Sequence, residues 1–169
     1  KYSPALLNRY FKMFPQKVFS DYKYSIYVDG NIRICTDMTE YVNRISDVGV
    51  STFCHSQRCC VFEEAMACIA MGKETKKNIE HHIRHLEDAG MPHDYGMAQC
   101  SVIVREHNSA QCVRLMEDWW KEYVAYAKRD QLSFPFVMYK YGIEMERITT
   151  LGANIYKNNS FEIIAHKKS

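Results

Sequence analysis

Four things are missing from this sequence: a CxxC pair, a glycine-rich phosphate loop of the GxxxxGK type, an internal repeat, and any apolar run near the roughly 18 residues that span a bilayer. Each absence removes a class of protein. The missing phosphate loop argues against a nucleotidyl- or phosphotransferase built around one. A net charge of only +2 gives no field for a polyanion, so nucleic acid is not an expected partner. The seven cysteines (Cys35, Cys54, Cys59, Cys60, Cys68, Cys100 and Cys112) are odd in number and scattered through apolar stretches. That pattern reads as buried free thiols in a reducing compartment rather than a disulfide framework. With no spanning run and no signal peptide at its start, the chain is expected to be a soluble cytoplasmic domain. Its opening "KYSPALLNRYF" reads as the middle of something, so further chain is expected upstream.

What is present is enough for one domain over residues 1–169, with 47% hydrophobic and 25% charged residues. Ser3-Pro4 opens a helix that ends near Pro15. Extended segments are predicted at Tyr24–Val28, Ile32–Cys35, Val50–Cys54 and Cys100–Arg105, with weaker ones around Ile148 and in "FEIIAH". Helices are predicted from an Asp37 cap to Ser46, over 60–71, 75–89 and Ser109–Lys128, and over 131–140 with an interruption at Pro135. Strands alternating with helices predict an α/β fold with a mixed, mostly parallel sheet flanked by helices.

In such sheets ligands bind beyond the carboxyl ends of the strands. Three predicted strand ends deliver polar groups: Asp29 after "SIYV", His55 after "STFC", and Arg105-Glu106-His107 after "SVIV". All are expected to converge on one edge, with Arg129, Asp130 and Gln131 at a helix junction as a fourth group. Plainer readings stand beside these. Asp29-Gly30 is also a hairpin turn, Asp130 a helix N-cap, and His55 a solvated loop residue. His81 and His85, four apart, have the spacing of a metal pair but lie among charges that suit a solvated helix face. Trp119, Trp120, Tyr123 and Tyr126 read as core at helical spacing rather than as a stacking platform.

Four ordered stretches, "FSDYKYSIYVDGNIRI", "HSQRCCVFEEAMACI", "CSVIVREHN" and "RDQLSF", resemble a glycosyltransferase-like domain family. Its members include bacterial proteins of surface-polysaccharide clusters and plant proteins of pectin and mucilage synthesis. The resemblance runs from about Asn8 to Phe134. It implies a GT-A-like fold lacking its first strands in this chain, and transfer of a sugar from a nucleotide-sugar donor to a glycan or lipid-linked glycan acceptor. It also implies peripheral work at the inner face of a membrane and a Mn²⁺ or Mg²⁺ cofactor. By the same resemblance Asp29 is a metal ligand at a reduced Asp-x-Asp motif, with Gly30 and Asn31 beside it and His166 as a second ligand. A hard cation there would neutralise charge on the departing diphosphate. Arg9, Lys12, His55, Arg58, Arg105, His107 and Gln131 are implied donor or substrate contacts. Asp130 is the first choice for catalytic carboxylate and Glu106 the second. The alternative reading is a catalytically silent nucleotide-sugar or glycan-binding domain.

Overall fold

In the computed structural model, which describes residues 3–165, the first helix, α1 (Pro4–Met13), begins as its sequence dictates. The Ser3 hydroxyl accepts from the Leu6 N–H, and Pro4 takes the first turn, where its missing N–H costs nothing. Strand β1 (Ser25–Val28) and strand β2 (Ile32–Ile34) follow on either side of a turn closed by Ile32 N–H donating to Asp29 O. Helix α2 (Thr39–Val42) is shorter than the predicted run to Ser46. Asp37 accepts from both the N–H and the hydroxyl of Thr39. Beyond the helix, Ser46 N–H turns to the Ser51 hydroxyl, so side chains compete for the backbone that would have extended it.

Strand β3 (Val50–Cys54), helices α3 (Val61–Ala70) and α4 (Lys76–Asp88), strand β4 (Ala98–Arg105) and helix α5 (Ala110–Ala125) come next. Helix α6 (Asp130–Lys140) and strand β5 (Phe161–Ile163) complete the order. Pro135 does not interrupt α6. Every residue from Leu132 to Met138 is buried, and that packing outweighs the hydrogen bond the proline forgoes. Ile148 is not extended; it follows a short 3₁₀ turn, Met145–Arg147, and its carbonyl accepts from Thr52 N–H.

The α/β class holds, but the expected mostly parallel sheet does not. β4 lies between β1 and β3 and pairs antiparallel with both, while β2 and β5 form a separate antiparallel pair. The parallel element among the described residues is an isolated bridge, Phe53 to Gly152. The reason lies in the β3–β4 connection. One helix returns a chain for a parallel strand, but α3 and α4 together reverse it twice, so β4 enters antiparallel.

This direction decides where the polar strand ends go. Ser25 and Val50 both stand opposite Arg105, so the carboxyl ends of β1 and β3 meet the beginning of β4. There Asp29 N–H donates to Ser101 O, and His55 N–H to Met97 O. Arg105, Glu106 and His107 lie at the opposite edge, and the expected convergence of all three strand ends is corrected to two. The register of β3 on β4 also slips. Thr52 pairs with Ile103 but Phe53 with Gln99, a bulge beside Asp29 capped by the Thr52 hydroxyl.

Candidate active site

Periodicity places Arg9 and Lys12 on one face of α1, and that face turns inward. Lys12 is 1% exposed. Its ammonium lies 2.6 Å from Asp130 Oδ2 and 3.9 Å from Asp29 Oδ1, over the rings of Tyr27 and Trp119. Arg9 Nε lies 3.3 Å from the same Asp130 oxygen. Burying an ammonium this deep is costly unless carboxylates accompany it, and two are supplied. Asp130 is no N-cap; α6 starts with it, Arg129 takes the cap position, and the carboxylate faces α1. Its backbone carbonyl accepts from Trp119 Nε1, which fixes the first turn of α6 against α5. Burial pushes the Asp130 carboxyl up, but Lys12 and Arg9 outweigh it and hold it below the ordinary range.

The strand that looks destined for the sheet interior runs into Asp29, whose carboxylate is partnered and opens on a pocket. Its side chain is 31% exposed and accepts from the Tyr27 hydroxyl at 2.8 Å. Burial, then the Asp29 charge, raise the Tyr27 hydroxyl above its ordinary pKa, keeping it a donor. The hairpin reading fails, since β1 and β2 belong to different sheets. Asn8, Arg9, Tyr27, Asp29, Gly30 and Asn31 line one open pocket.

Among the described residues no group of three His, Cys, Asp or Glu side chains is placed to hold a metal ion, and His166 lies outside the described residues. The donors do fit a cation shared with a ligand. Asp29 meets Tyr27 and Lys12 through Oδ1, and Asn31 shares its pocket. One carboxylate completed by phosphate oxygens is how Mg²⁺ is commonly held.

A second cavity, of about 120 Å³, is lined by His55, Arg58, Glu64, Gln99 and Gln131 with Ser56, Gln57, Met71, Lys73 and Tyr156 at its walls. His55 is no solvated loop residue. Its Nδ1 accepts from Arg58 N–H at 3.0 Å, which leaves the proton on Nε2, 3.8 Å from Glu64. Burial lowers the His55 pKa despite that carboxylate. Glu64, 3% exposed, pairs with Arg58 at 2.6 Å. A first-turn glutamate has a sufficient explanation in the helix dipole, and the inward turn of Glu64 shows only in its pairing with Arg58. Gln99, in β4, and Tyr156, in a short 3₁₀ turn, Ile155–Lys157, gave no sequence signal as pocket residues.

The remaining candidates lie elsewhere. Arg105, 1% exposed, donates to the Lys12 carbonyl and meets Met116 sulfur, so it anchors α1 from behind and lines neither pocket. Burial without a carboxylate lowers its pKa to about 10. His107 Nε2 lies 2.9 Å from the Phe19 carbonyl. Glu106 is 3.6 Å from Lys23 at the surface, beyond the Arg105 end of β4 and opposite the end where Asp29 lies. His85 is not on a solvated face; it stacks on Tyr126 and meets Glu122 at 3.0 Å. Trp119 and Tyr123 are core, as expected. All seven cysteines are unpaired, but Cys35 and Cys59 are exposed and Cys54 half-buried, so only four are buried thiols.

Comparison with known proteins gives first the class and then the family. A family model described as a glycosyltransferase-like domain matches residues 5–169. The chain belongs to that family, TOD1/MUCI70. A curated relative, the "Probable hexosyltransferase MUCI70" of Arabidopsis thaliana, is 26% identical over 141 residues, covering 75% of this chain and 23% of its own length. The chain thus spans about a quarter of that relative. No solved structure matches. No helix among the described residues is long and apolar enough to cross a membrane.

Proposed function

We propose that this domain transfers a sugar from a nucleotide-sugar donor to the hydroxyl of a glycan or lipid-linked glycan, as a GT-A-type, divalent-metal-assisted enzyme of surface-polysaccharide synthesis. Cytoplasmic work at the inner face of a membrane is part of this reading. The observation that carries it is the pairing of α1 cations with the carboxylate at the end of β1, in a chain of a glycosyltransferase-like family.

Arg9 lines the pocket beside Asp29 and meets the diphosphate, with Lys12 behind it as a fixed positive charge. Asp29 and Asn31 are the residues that would hold the cation. When bound, that cation supplies Lewis-acid stabilisation of the leaving diphosphate. Asp130, held acidic by two cations, is a poor proton acceptor at neutral pH, so its role is to orient Lys12, Arg9 and the donor. This assignment suits a retaining outcome better than proton removal from the acceptor. Arg105 and His107, buried against backbone carbonyls, support α1 and the segment after it rather than the donor.

A screen of nucleotide sugars with Mn²⁺ for release of free nucleoside diphosphate tests the reading. The expected result is slow hydrolysis of one donor that stops on chelation. No release from any donor, with nucleotides giving no thermal shift, would instead establish the silent binding domain, the reading that a lone carboxylate at Asp29 favours.

A further inference from the structure

The histidines whose spacing on α4 resembles a metal pair line neither pocket of the site described above. Between His81 and His85 lies a third, His82, which is 1% exposed. It stands where an amphipathic helix calls for an apolar side chain, with Ile79 one turn before it and Leu86 one turn after. Those two pack into a core shared with Ala65 and Cys68 of α3 and with Leu132 and Phe136 of α6. Neither ring nitrogen of His82 has a hydrogen-bond partner among the described residues.

No carboxylate pairs with that ring. From its own helix the groups that act on it are His85 and His81, and either one, protonated, repels a second charge. Tyr126, at the end of α5, meets all three imidazoles, with ring centroids 5.1 Å from His81, 5.5 Å from His82 and 4.0 Å from His85. Glu122 of α5 is taken by His85 at 3.0 Å and by Lys140 of α6 at 3.3 Å. On the α3 side, burial pushes the Cys68 thiol up and keeps it neutral, and Glu64 is matched by Arg58. A proton on His82 would therefore leave a buried imidazolium without a partner, and the fold relieves that cost by letting the helix go. Burial first, then His85 and His81, lower the His82 pKa to about 4.

We propose that α4 is an acid-released latch: protonation of His82 frees the helix from α3, α5 and α6 and exposes the core that α4 covers. The plainer role for His82 is packing. A ring that only fills space would, when replaced, change stability equally at every pH, so pH separates the two roles. The folded pKa lies below the value of about 6.5 that a released helix restores, so the latch is fully shut above that pH and loosens as pH falls toward 4. By this linkage the open fraction at about pH 5 is roughly thirtyfold that at about pH 7.5. Asp130, held below the ordinary carboxylate range, is still ionised there and adds nothing to the effect. His55, whose pKa is also lowered, lies in the loop after β3, so the readout has to be local to α4.

The test is hydrogen exchange of the full chain followed by mass spectrometry, reading peptides of α4 and of β4 at the two pH values after correction for intrinsic exchange. Protection of α4 is expected to fall about thirtyfold, and that of β4 by much less. His82→Leu, which keeps the apolar stripe, is expected to abolish the fall, whereas His85→Gln should leave most of it. An equal fall in β4 would make the acid step a global one and overturn the latch. A fall that persists in His82→Leu, or that vanishes in His85→Gln, would overturn the assignment to His82. Should His82→Leu fail to fold, an NMR titration of the wild-type imidazoles decides the matter. The His82 ring is expected to stay neutral down to about pH 5, and a His82 ring that titrates near 6.5 with α4 still protected would overturn the proposal.

Discussion

The two ends of β4 each gather buried charge, and they use it in opposite ways. At its beginning, Lys12 and Arg9 meet Asp130 and Asp29 beside open pockets, and Glu64 meets Arg58. At its end, Arg105 spends its guanidinium on the Lys12 carbonyl and the Met116 sulfur, and His107 meets the Phe19 carbonyl. At the beginning, Arg9 and Asp29 line an open pocket, with Lys12 and Asp130 buried behind them. Charge spent on backbone holds one segment to another. The two ends thus divide the labour, since Arg105 at one holds the carbonyl of Lys12, whose ammonium meets Asp130 and Asp29 at the other.

The sharpest way to break this comparison is Asp130→Asn. It leaves Lys12 buried with only Asp29, at 3.9 Å, for a carboxylate, and uncompensated buried charge costs about 3 kcal/mol or more. For a domain of this size that is a fall in Tm of roughly 10 °C. Transfer is lost as well. The double variant Lys12→Met, Asp130→Asn should regain much of the stability and none of the activity, a signature that a double-mutant cycle reads directly. The same pair sets an acid limb. Asp130 has a folded pKa below its unfolded value, so its contribution is complete above about pH 4 and is lost as pH falls through the lower folded value. Asp130→Asn should flatten that limb in a plot of Tm against pH; an unchanged limb would mean that the pair does not hold α1 to α6.

Asp29→Ala comes next, and it separates function from stability. Its side chain is 31% exposed and its close contact is the Tyr27 hydroxyl, so stability should change by about 1 kcal/mol or less. Nucleotide binding should lose its metal dependence, seen as equal thermal shifts with Mn²⁺ and with chelator. Retained metal dependence would place the cation elsewhere.

How much of this was legible beforehand depended on whether the deciding contact was local. The β3 bounds, Val50–Cys54, and the Ser3-Pro4 helix start were legible because alternation and capping are written in neighbouring residues. Asp29 was legible because a carboxylate ending an apolar run is costly and so calls for a reason. Strand direction was not, because "CSVIVR" is buried throughout and a buried run looks the same in either orientation. The burial of Lys12 was hidden as well. Periodicity put it beside Arg9, but the carboxylate that lets it stay inside is 118 residues away. Glu64 gave no signal because a first-turn glutamate is already explained by the helix dipole, and only its partner Arg58 shows that the carboxylate turns inward.

The smallest expected effect, and the one that separates the two ends of β4 most directly, is Glu106→Gln. The family resemblance made Glu106 the second choice for the catalytic carboxylate, after Asp130. The antiparallel register puts it at the opposite edge, where its side chain is 40% exposed and its partner is the exposed Lys23 at 3.6 Å. An exposed pair of this kind is screened by water and salt and holds nothing in place. Neither Tm nor the rate of donor turnover should move measurably, and kcat against pH should keep its shape. A large fall in turnover with an unchanged Tm would carry the chemistry to the far end of β4, and the division of labour between its ends would have to be reversed.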